Sequence, residues 1–358
     1  MKNGIDINEI SNAIQEPRLV KAEELQGGHP EMNGLRPVMY TGGFCAVFPF
    51  NAKGRKYAVR CWHTMSPVMD DLAKAVSSAL QASSLPYFVP YRYCKDGIAT
   101  SQGVIPLIIM DWVDAAPLKL WLKKHIHNSS AIRKLADAFL KMTTDLHKSG
   151  IAHGDLQHGN ILVQADGSIK LVDYDSMCVP GIEGRPLGLF GLEGYQHPAR
   201  SRLRKLSPKM DYFSELVIYT SLLALAERPS LWKELKIEGT ETLVFSAEDI
   251  LSGGKAPIFS KLSRMAALNN LIAEMKAELS RQDIEQLRPL EAIVGKPAGT
   301  PAPSPSPWPH PTPAPHKPAV QGGDWLDKLR SNWKTKSFQQ TAGYNPKDVV
   351  NLRQKWTR

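Results

Sequence analysis

The residues best suited to chemistry lie in one short polar stretch. Residues 153–160 read His-Gly-Asp-Leu-Gln-His-Gly-Asn, and a further acid, Asp173, follows within the run Leu-Val-Asp-Tyr-Asp. Phosphoryl transfer needs a carboxylate that orients the attacking hydroxyl and can accept its proton, and it needs oxygen ligands for Mg²⁺. Asp155 fits the first requirement, and Asn160 together with Asp173 fits the second. The pattern therefore predicts a magnesium-dependent phosphoryl-transfer site.

The flanking pattern predicts the elements that position this loop. Apolar residues recur at helical spacing through 130–149 and predict a helix that ends at Gly150. After the polar loop, the apolar runs 161–163 and 169–172 are separated by a turn at 166–167 and predict a hairpin. The alternative is an ordinary polar turn in which Asn and Asp only form the turn.

The combined pattern resembles the catalytic region of protein kinases, over roughly residues 38–290. The family's HxDLxxxN pattern appears as HGDLQHGN, and Asp173 stands 13 residues after Asn160, at the position of the family's metal-binding Asp. The run at 195–198 resembles the end of the activation segment. The run that begins at Asp211 resembles the start of the long buried helix of the C-lobe.

This resemblance implies an α+β, bilobal protein kinase-like fold with a β-rich N-lobe and a helical C-lobe, which binds ATP and Mg²⁺. It implies that Asp155 orients the substrate hydroxyl and that Asn160 and Asp173 bind the metal. His153 and Asp211 would support the loop, Asp211 by capping its backbone. For Asp211 the alternative is an ordinary helix N-cap.

The nucleotide-binding side matches the family less closely. Gly42 and Gly43 stand where the glycine-rich phosphate loop belongs, and Val47 follows on the same predicted strand. The run Ala-Val-Arg matches the family's Ala-x-Lys, and strand alternation places Ala58 and Arg60 on one face, beside the adenine and the phosphates. Arg60 can still contact phosphate, although its planar fork differs from a compact ammonium. A surface strand charge is the alternative.

The hinge between the lobes is predicted at Met110, Asp111 and Val113, after an apolar run. The resemblance implies that backbone groups there hydrogen-bond the adenine and that Met110 is the gatekeeper. Leu162, two residues after Asn160, would lie under the adenine ring. For the apolar members, simple core packing is the alternative.

Some residues depart from the family pattern. The predicted helix 67–83 contains no Glu that could pair with Arg60, because its acids are Asp in the first turn. Gly154 replaces the Arg that normally answers a phosphate on the activation segment, and Ser176 is the one Ser between Asp173 and residue 198. We therefore predict that phosphorylation of this segment is not the on-switch.

Three functions remain open. The first is an atypical Ser/Thr-type protein kinase acting on a protein substrate. The second is a nucleotide-binding pseudokinase scaffold, because Arg60 and Gln157 replace both usual lysines. The third is a small-molecule kinase of the aminoglycoside phosphotransferase type, which shares the changes at Gly154 and Gln157. The retained acids and amide favour an enzyme, and the segment 198–211 favours a protein kinase.

The resemblance implies the two lobes, and composition marks the linker and the tail, so that the chain has five predicted parts. Ten prolines in 297–318 predict an extended polyproline spacer. The parts are an N-terminal extension at 1–37, the N-lobe at 38–113, the C-lobe at 114–295, the Pro-rich linker at 296–320 and a basic tail at 321–358. Before the catalytic region, periodicity predicts a helix at 6–16, a hairpin from 38–50 and 55–62, and strands near 89–94 and 104–110.

Most of the net charge of +9 lies behind the predicted lobes. The tail 321–358 holds eight Lys/Arg against three Asp/Glu, and the linker adds two lysines, which leaves about +2 for residues 1–295. Nucleic acid is therefore not indicated for the globular part, and the tail is either a solvated extension or a docking segment for an acidic partner.

Three sequence features bear on the compartment. The four cysteines form no CxxC pair, which suits a reducing cytosol better than a disulfide framework. The first residues lack an apolar leader pattern. The longest apolar stretch, 217–226, is too short to span a bilayer and predicts a buried helix. We expect a cytoplasmic protein without a membrane span.

Overall fold

The computed structural model describes residues 4–41, 44–187 and 191–295. Gly42 and Gly43, the predicted linker and the predicted tail lie outside the described residues. The described chain is rich in strands up to residue 111 and mostly helical after residue 118, which confirms the predicted α+β class. The helices in these ranges are all too short or too polar to span a lipid bilayer.

A six-stranded antiparallel sheet forms the N-terminal region. Its strands are β1 (His29–Pro30), β4 (Tyr40–Thr41), β5 (Cys45–Ala52), β6 (Arg55–Trp62), β7 (Tyr91–Thr100) and β8 (Gly103–Asp111). Their order is β1-β5-β6-β8-β7, and β4 also pairs with β5. A small hairpin of β2 (Met32–Asn33) and β3 (Arg36–Pro37) lies between β1 and β4 along the chain.

The hairpin of β5 and β6 confirms the pairing that the sequence predicts. Its turn residues Lys53 and Gly54 both have positive φ, 49° and 73°, as the tightest hairpin turns require. The register pairs Val47 with Arg60 and Cys45 with Trp62. The predicted strands near 89–94 and 104–110 correspond to β7 and β8.

The two faces of this sheet pack against different partners. On one face, Ala58 and Trp62 join the large core that includes the C-terminal helices. On the other face, Val59 and Cys61 pack with a second core built from the N-terminal segment. The apolar members of that segment are Ile5, Ile10, Ala13, Ile14, Val20, Ala22 and Leu25. Residues 5–25 therefore cover the outer face of the sheet.

Helix α1 (Ile7–Ala13) lies in this covering segment, and a 3₁₀ turn at Glu23–Leu25 follows. Asp6 caps α1 by accepting a hydrogen bond from the Asn8 N–H. The helix is shorter than the predicted 6–16, since Pro17 disfavours helical conformation in the residue before it.

Helix α2 (Pro67–Ala82) lies beside β7 and nearly matches the predicted 67–83. Ser66 caps it by accepting a hydrogen bond from the Met69 N–H, and Pro67 occupies the first turn. Its apolar stripe, including Val76 and Leu80, is buried in the large core.

The C-terminal region contains eight helices in the described chain. They are α3 (Leu118–His125), α4 (Ser129–Lys148), α5 (Tyr212–Glu227), α6 (Leu231–Glu234), α7 (Ala247–Leu251), α8 (Pro257–Ser263), α9 (Asn269–Leu279) and α10 (Leu290–Val294). Helix α5 is buried on nearly every side and packs on α4, which confirms the buried helix predicted at 217–226. A three-stranded sheet of β9 (Ala116–Pro117), β10 (Ile161–Val163) and β11 (Ile169–Leu171) carries the polar loop.

Candidate active site

The polar loop begins where helix α4 ends. Gly150 has a φ of 65° and follows the helix, and the Ile151 N–H donates to the Leu146 carbonyl, which closes the last turn. Ala152 then forms an antiparallel bridge with Cys178. The start of the loop is thus tied to the segment that follows β11.

The hairpin of β10 and β11 brings the amide and the acid to one end. Ile161 pairs with Leu171, so Asn160 lies across from Val172, whose N–H donates to the Asn160 carbonyl at 3.1 Å. Asp173 is the next residue. The Asn160 side chain also reaches back, because its Nδ2 donates to the Asp155 carbonyl at 2.8 Å and to its Oδ2 at 3.2 Å.

Two buried side chains fix the loop backbone. The carboxylate of Asp211, which is 2% exposed, accepts hydrogen bonds from the N–H groups of His153 and Gly154. His153 is fully buried, and its Nε2 donates to the Val172 carbonyl at 2.9 Å. These contacts place Asp211 and His153 behind the loop, where the resemblance locates them.

Arg60 approaches from the sheet side and meets both acids of the 173–175 run. Its Nη1 lies 3.3 Å from Oδ1 of Asp173, and its Nη2 pairs with Asp175. The Arg60 side chain is 9% exposed, Asp175 is 18% exposed and Asp173 is 52% exposed. Arg60 is therefore a buried charge held by two carboxylates, and not a surface strand charge.

Burial and charge act in opposite directions on this cluster. Burial tends to lower the pKa of the Arg60 guanidinium, but Asp175 and other nearby acids raise it well above its usual value. Burial raises the pKa of Asp175, against the opposing effect of Arg60. Arg60 therefore keeps its positive charge at any physiological pH.

Helix α2 contributes no acid to this cluster. Asp70 pairs with Lys74 and accepts a hydrogen bond from the Tyr93 hydroxyl at 2.6 Å, and Asp71 is 68% exposed. The ion pair that the family forms with a helix Glu is therefore rebuilt here with Asp175 of the segment after β11.

The backbone at Asp173 is held in an unusual conformation. Its φ of 69° lies in the left-handed region, which costs free energy for a residue other than glycine. The next residue, Tyr174, is buried, donates from its hydroxyl to the Leu171 carbonyl and accepts from the Val89 N–H at 2.8 Å. Tyr174 thus anchors the run while Asp173 remains accessible to solvent.

The predicted adenine side consists of apolar groups near the sheet and β10. Ala58 pairs with Met110 across β6 and β8, and both lie in the large core. Val47 is half-buried and packs against the same core. Leu162 is buried in the middle of β10. Val47, Ala58 and Met110 thus share one core, as both nucleotide binding and simple packing predict, whereas Leu162 is buried without being a member of it.

The predicted hinge begins at the end of β8. The Asp111 carboxylate pairs with Arg55 at 2.9 Å and with Arg92 at 2.8 Å, so its side chain is part of a surface ion network. The Trp112 N–H donates to the Lys56 carbonyl. Among the residues that the structure describes, none accepts a hydrogen bond from the Val113 N–H. That group is available for an adenine nitrogen.

A later segment passes directly over Asp155. The Leu192 N–H donates to Oδ1 of Asp155 at 2.8 Å. Gly191 precedes it with a φ of 77°, and a β-carbon at residue 191 would lie 2.9 Å from the same oxygen. Only glycine fits there without pushing the segment away from the acid.

The sequence analysis did not predict two contacts of the loop at Gly154, one with the Ser176 carbonyl and one with Arg200. A β-carbon at Gly154, where φ is 79°, would collide with the Ser176 carbonyl, so the family's Arg cannot fit here without a shift. Arg200, which is 1% exposed, donates instead to the Gly154 carbonyl at 3.2 Å, and burial lowers the pKa of Arg200 to about 10. Spacing alone could not have indicated Arg200, because its partner is a backbone carbonyl 46 residues away.

The donor chemistry fits a divalent cation. Asn160 uses its Nδ2 within the loop, and within the described ranges its Oδ1 accepts no hydrogen bond. Asp173 supplies an accessible carboxylate. No cluster of three His, Cys, Asp or Glu ligands occurs among the described residues. One amide and one carboxylate suit Mg²⁺, which usually takes its other ligands from water and substrate phosphates.

Comparisons with known proteins agree with this fold and site. The model of the protein kinase domain family matches residues 44–273. A probable serine/threonine-protein kinase of Streptomyces coelicolor is 24% identical over 233 residues, which cover 59% of this chain and 32% of that protein. The interferon-induced, double-stranded RNA-activated protein kinase of Rattus norvegicus is 25% identical over 248 residues, 62% of this chain and 46% of that protein. The serine/threonine-protein kinase PknB of Mycobacterium leprae is 27% identical over 124 residues, which cover 32% of this chain and 19% of that protein.

The β-rich region, the helical region and the polar loop that follows helix α4 define a protein of the protein kinase-like superfamily. Since the family model covers well over half of the chain, the chain belongs to the protein kinase domain family. The matches span less than half the length of each of these three relatives.

Proposed function

We propose that this protein is an ATP- and Mg²⁺-dependent Ser/Thr protein kinase with an atypical site. The observation that carries the proposal is the convergence of Asp155, Asn160 and Asp173 at one end of the β10–β11 hairpin, with Arg60 of the sheet in contact with Asp173. A family member that kept only the fold would not need to keep this set.

Each group has a role in the proposed reaction. Asp155 orients the substrate hydroxyl and accepts its proton, and Asn160 and Asp173 hold Mg²⁺, which neutralises charge on the phosphates. Arg60 contacts the phosphates, and the fixed loop backbone limits motion of Asp155.

The base of the nucleotide has its own proposed contacts. Adenine lies between the sheet and β10, against Val47, Ala58 and Leu162, with Met110 as the gatekeeper. Backbone groups of Asp111 and Val113 hydrogen-bond its edge. Gly42 and Gly43 remain proposed phosphate-loop residues.

A nucleotide-binding pseudokinase is the second candidate, because one observation favours it. Gln157 is buried and its Oε1 accepts a hydrogen bond from the Gly159 N–H at 2.8 Å. It therefore brings no positive charge towards the transferred phosphate, where the transition state is most negative.

The two candidates differ in one assay. We would incubate the full chain with γ-labelled ATP, Mg²⁺ and mixed protein substrates, beside Asp155→Ala and Asp173→Ala. Asp166→Asn serves as the matched control, because Asp166 is an exposed acid in the turn of the same hairpin. Label on protein that both alanine variants lose, and the control keeps, supports the kinase.

The other outcomes are equally specific. Nucleotide binding without any transfer supports the pseudokinase. Transfer only to added small metabolites supports a kinase of the aminoglycoside phosphotransferase type.

The surroundings of the enzyme are also proposed. The four cysteines are free thiols, and three of them are buried, which favours a reducing compartment such as the cytoplasm. The excess of Lys and Arg in residues 321–358 supports an acidic partner for that segment.

A further inference from the structure

The cluster of Arg60, Asp173 and Asp175 contains two carboxylates for one guanidinium, which is one carboxylate more than a single ion pair has. One guanidinium faces two carboxylates, Asp173 and Asp175, and both belong to the same three-residue run. The pairing is unequal, because Asp175 is mostly buried with Arg60 while Asp173 is about half exposed. The exposed carboxylate is the proposed metal ligand.

Asp175 is held on a rigid support. The hydroxyl of Tyr174 bonds Leu171 and Val89, and the ring packs edge-on against Phe88. On the other side, Ser176 lies against Gly154, and Cys178 pairs with Ala152. Asp175 therefore stands between two anchored residues, and their hydrogen bonds and backbone bridge go to residues outside helix α2.

Helix α2 cannot replace Asp175 as the partner of Arg60. The Asp70 carboxylate is used by Lys74 and Tyr93, and Asp71 faces solvent near Lys74. Within the described residues, Nε of Arg60 has no hydrogen-bond partner. Both ion-pair partners of Arg60 thus come from the run that follows β11.

Charge balance gives this arrangement a consequence for the metal. With Asp175 present, the Arg60 charge is neutralised by a buried carboxylate, and Asp173 keeps its negative charge for a cation. Without Asp175, the same guanidinium would pair with Asp173 alone and compete with the cation at close range.

We propose that Asp175 is a positioning residue that holds Arg60 in place of an acid on helix α2 and keeps Asp173 free for the divalent cation. The proposal deepens the proposed function and rests on it in one respect, namely that Asp173 is the metal ligand. It means that the ion pair of Arg60 is formed without a side chain of α2.

The test measures metal binding directly. Mn²⁺ is titrated into the full chain at saturating adenylyl imidodiphosphate, and free Mn²⁺ is followed by its electron paramagnetic resonance signal. We expect Asp175→Asn to raise the Mn²⁺ concentration for half-saturation about tenfold, which corresponds to about 1.4 kcal/mol. Asp70→Asn, the matched control on α2, should change it less than about twofold.

A double variant separates positioning from general damage. In Arg60→Gln with Asp175→Asn, the competing guanidinium is also gone, so half-saturation should return to within about threefold of wild type. A merely structural role of Asp175 predicts no recovery. An unchanged midpoint in Asp175→Asn, or no recovery in the double variant, would overturn the proposal.

A single variant keeps the proposal testable if Asp175→Asn does not fold. Arg60→Gln removes the proposed phosphate contact, so adenylyl imidodiphosphate is first raised until its binding is saturated again. Under that condition the Mn²⁺ midpoint should not rise, and a clear rise would overturn the proposal. Wild type that binds Mn²⁺ with the predicted shifts but transfers no phosphate would overturn the kinase function alone. Transfer without any Mn²⁺ shift would overturn the role of Asp175 alone, and wild type that binds no Mn²⁺ would overturn both.

Discussion

The sheet wall of the candidate site, which carries Arg60, and the helical wall, which carries the polar loop 153–160, hold their polar groups in different ways. On the helical wall, Asn160 bonds Asp155 five residues away, and one carboxylate, Asp211, fixes the loop backbone. On the sheet wall, Arg60 depends on Asp173 and Asp175, which are 113 and 115 residues away. The Asp155–Asn160 contact leaves a recognisable spacing in the sequence, whereas the pairs of Arg60 and the bonds of Asp211, which lies 57 and 58 residues from its partners, form only after the chain has folded.

The largest effect should come from putting the family's residue back at Gly154. Gly154→Arg forces a side chain into the Ser176 carbonyl at a φ of 79° and should lower the free energy of unfolding by about 3 kcal/mol or more. Transfer activity should be lost as well. Urea unfolding followed by fluorescence measures the first effect, and the labelled-ATP assay measures the second.

Gly167→Arg is the matched control for this substitution. Gly167 has a φ of 85°, but a β-carbon there meets no atom within 4 Å. It should cost only about 1–2 kcal/mol, from backbone strain. Equal losses in the two variants would show that the contact with Ser176 does not matter.

The covering segment of the sheet should give the next largest effect. Ile10 is fully buried in the second core, so Ile10→Ala should lower the free energy of unfolding by about 3 kcal/mol. Leu35→Ala is the control, because Leu35 is 94% exposed, and it should change stability by less than about 0.5 kcal/mol. A change below 1 kcal/mol for Ile10→Ala would mean that residues 5–25 are not part of the folded unit.

The helical region contains a charged network that should give a pH dependence. His147 lies between Glu215 and Glu291, at 2.9 Å from each, and these acids raise the pKa of His147 to about 10 despite its burial. The ordinary value of 6.5 applies in the unfolded chain. Because the folded pKa is the higher one, this stabilisation is complete below pH 6.5 and is lost as pH rises towards 10.

Urea unfolding between pH 7 and pH 10 checks this window. The free energy of unfolding of the wild type should fall by on the order of 2 kcal/mol over this range. That of His147→Gln should not show this fall, since the variant carries no titrating ring. Parallel pH profiles for the two proteins would contradict the assignment of the network.

The smallest effect should come from Ser176→Ala. Ser176 is 5% exposed and packed against Gly154, so it is a poor target for phosphorylation, and Arg is absent from the position that would answer the phosphate. Transfer activity should stay within about twofold of wild type. A tenfold loss would mean that phosphorylation of this residue switches the enzyme on.

Local patterns predicted most of the fold. Helix α2 and the β5–β6 hairpin follow from capping residues, turn residues and periodicity. Helix α2 and β6 lie close to their predicted bounds, but β5 begins at Cys45 and the predicted strand 38–50 also includes the separate strand β4. The buried helix α5 follows from its continuous apolar run. These signals are local because caps, turns and periodic faces depend on neighbouring residues.

The remaining features could not be predicted because they depend on distant contacts. Nothing near Arg60 in the sequence indicates that Asp175 is its partner, and nothing near Arg200 indicates the Gly154 carbonyl. The covering role of residues 5–25 was also hidden, since an apolar helix face does not show which sheet it will cover. The site roles of Asp155, Asn160 and Asp173 stay predictions until metal and nucleotide are bound.

One measurement tests the central claim most directly. A crystal of the full chain with Mn²⁺ and adenylyl imidodiphosphate gives the metal position by anomalous scattering. We predict a peak on the order of 2 Å from Oδ1 of Asn160 and from the Asp173 carboxylate, with Asp155 facing the terminal phosphate. A nucleotide bound without metal at these two residues, or a peak located elsewhere, would contradict the account.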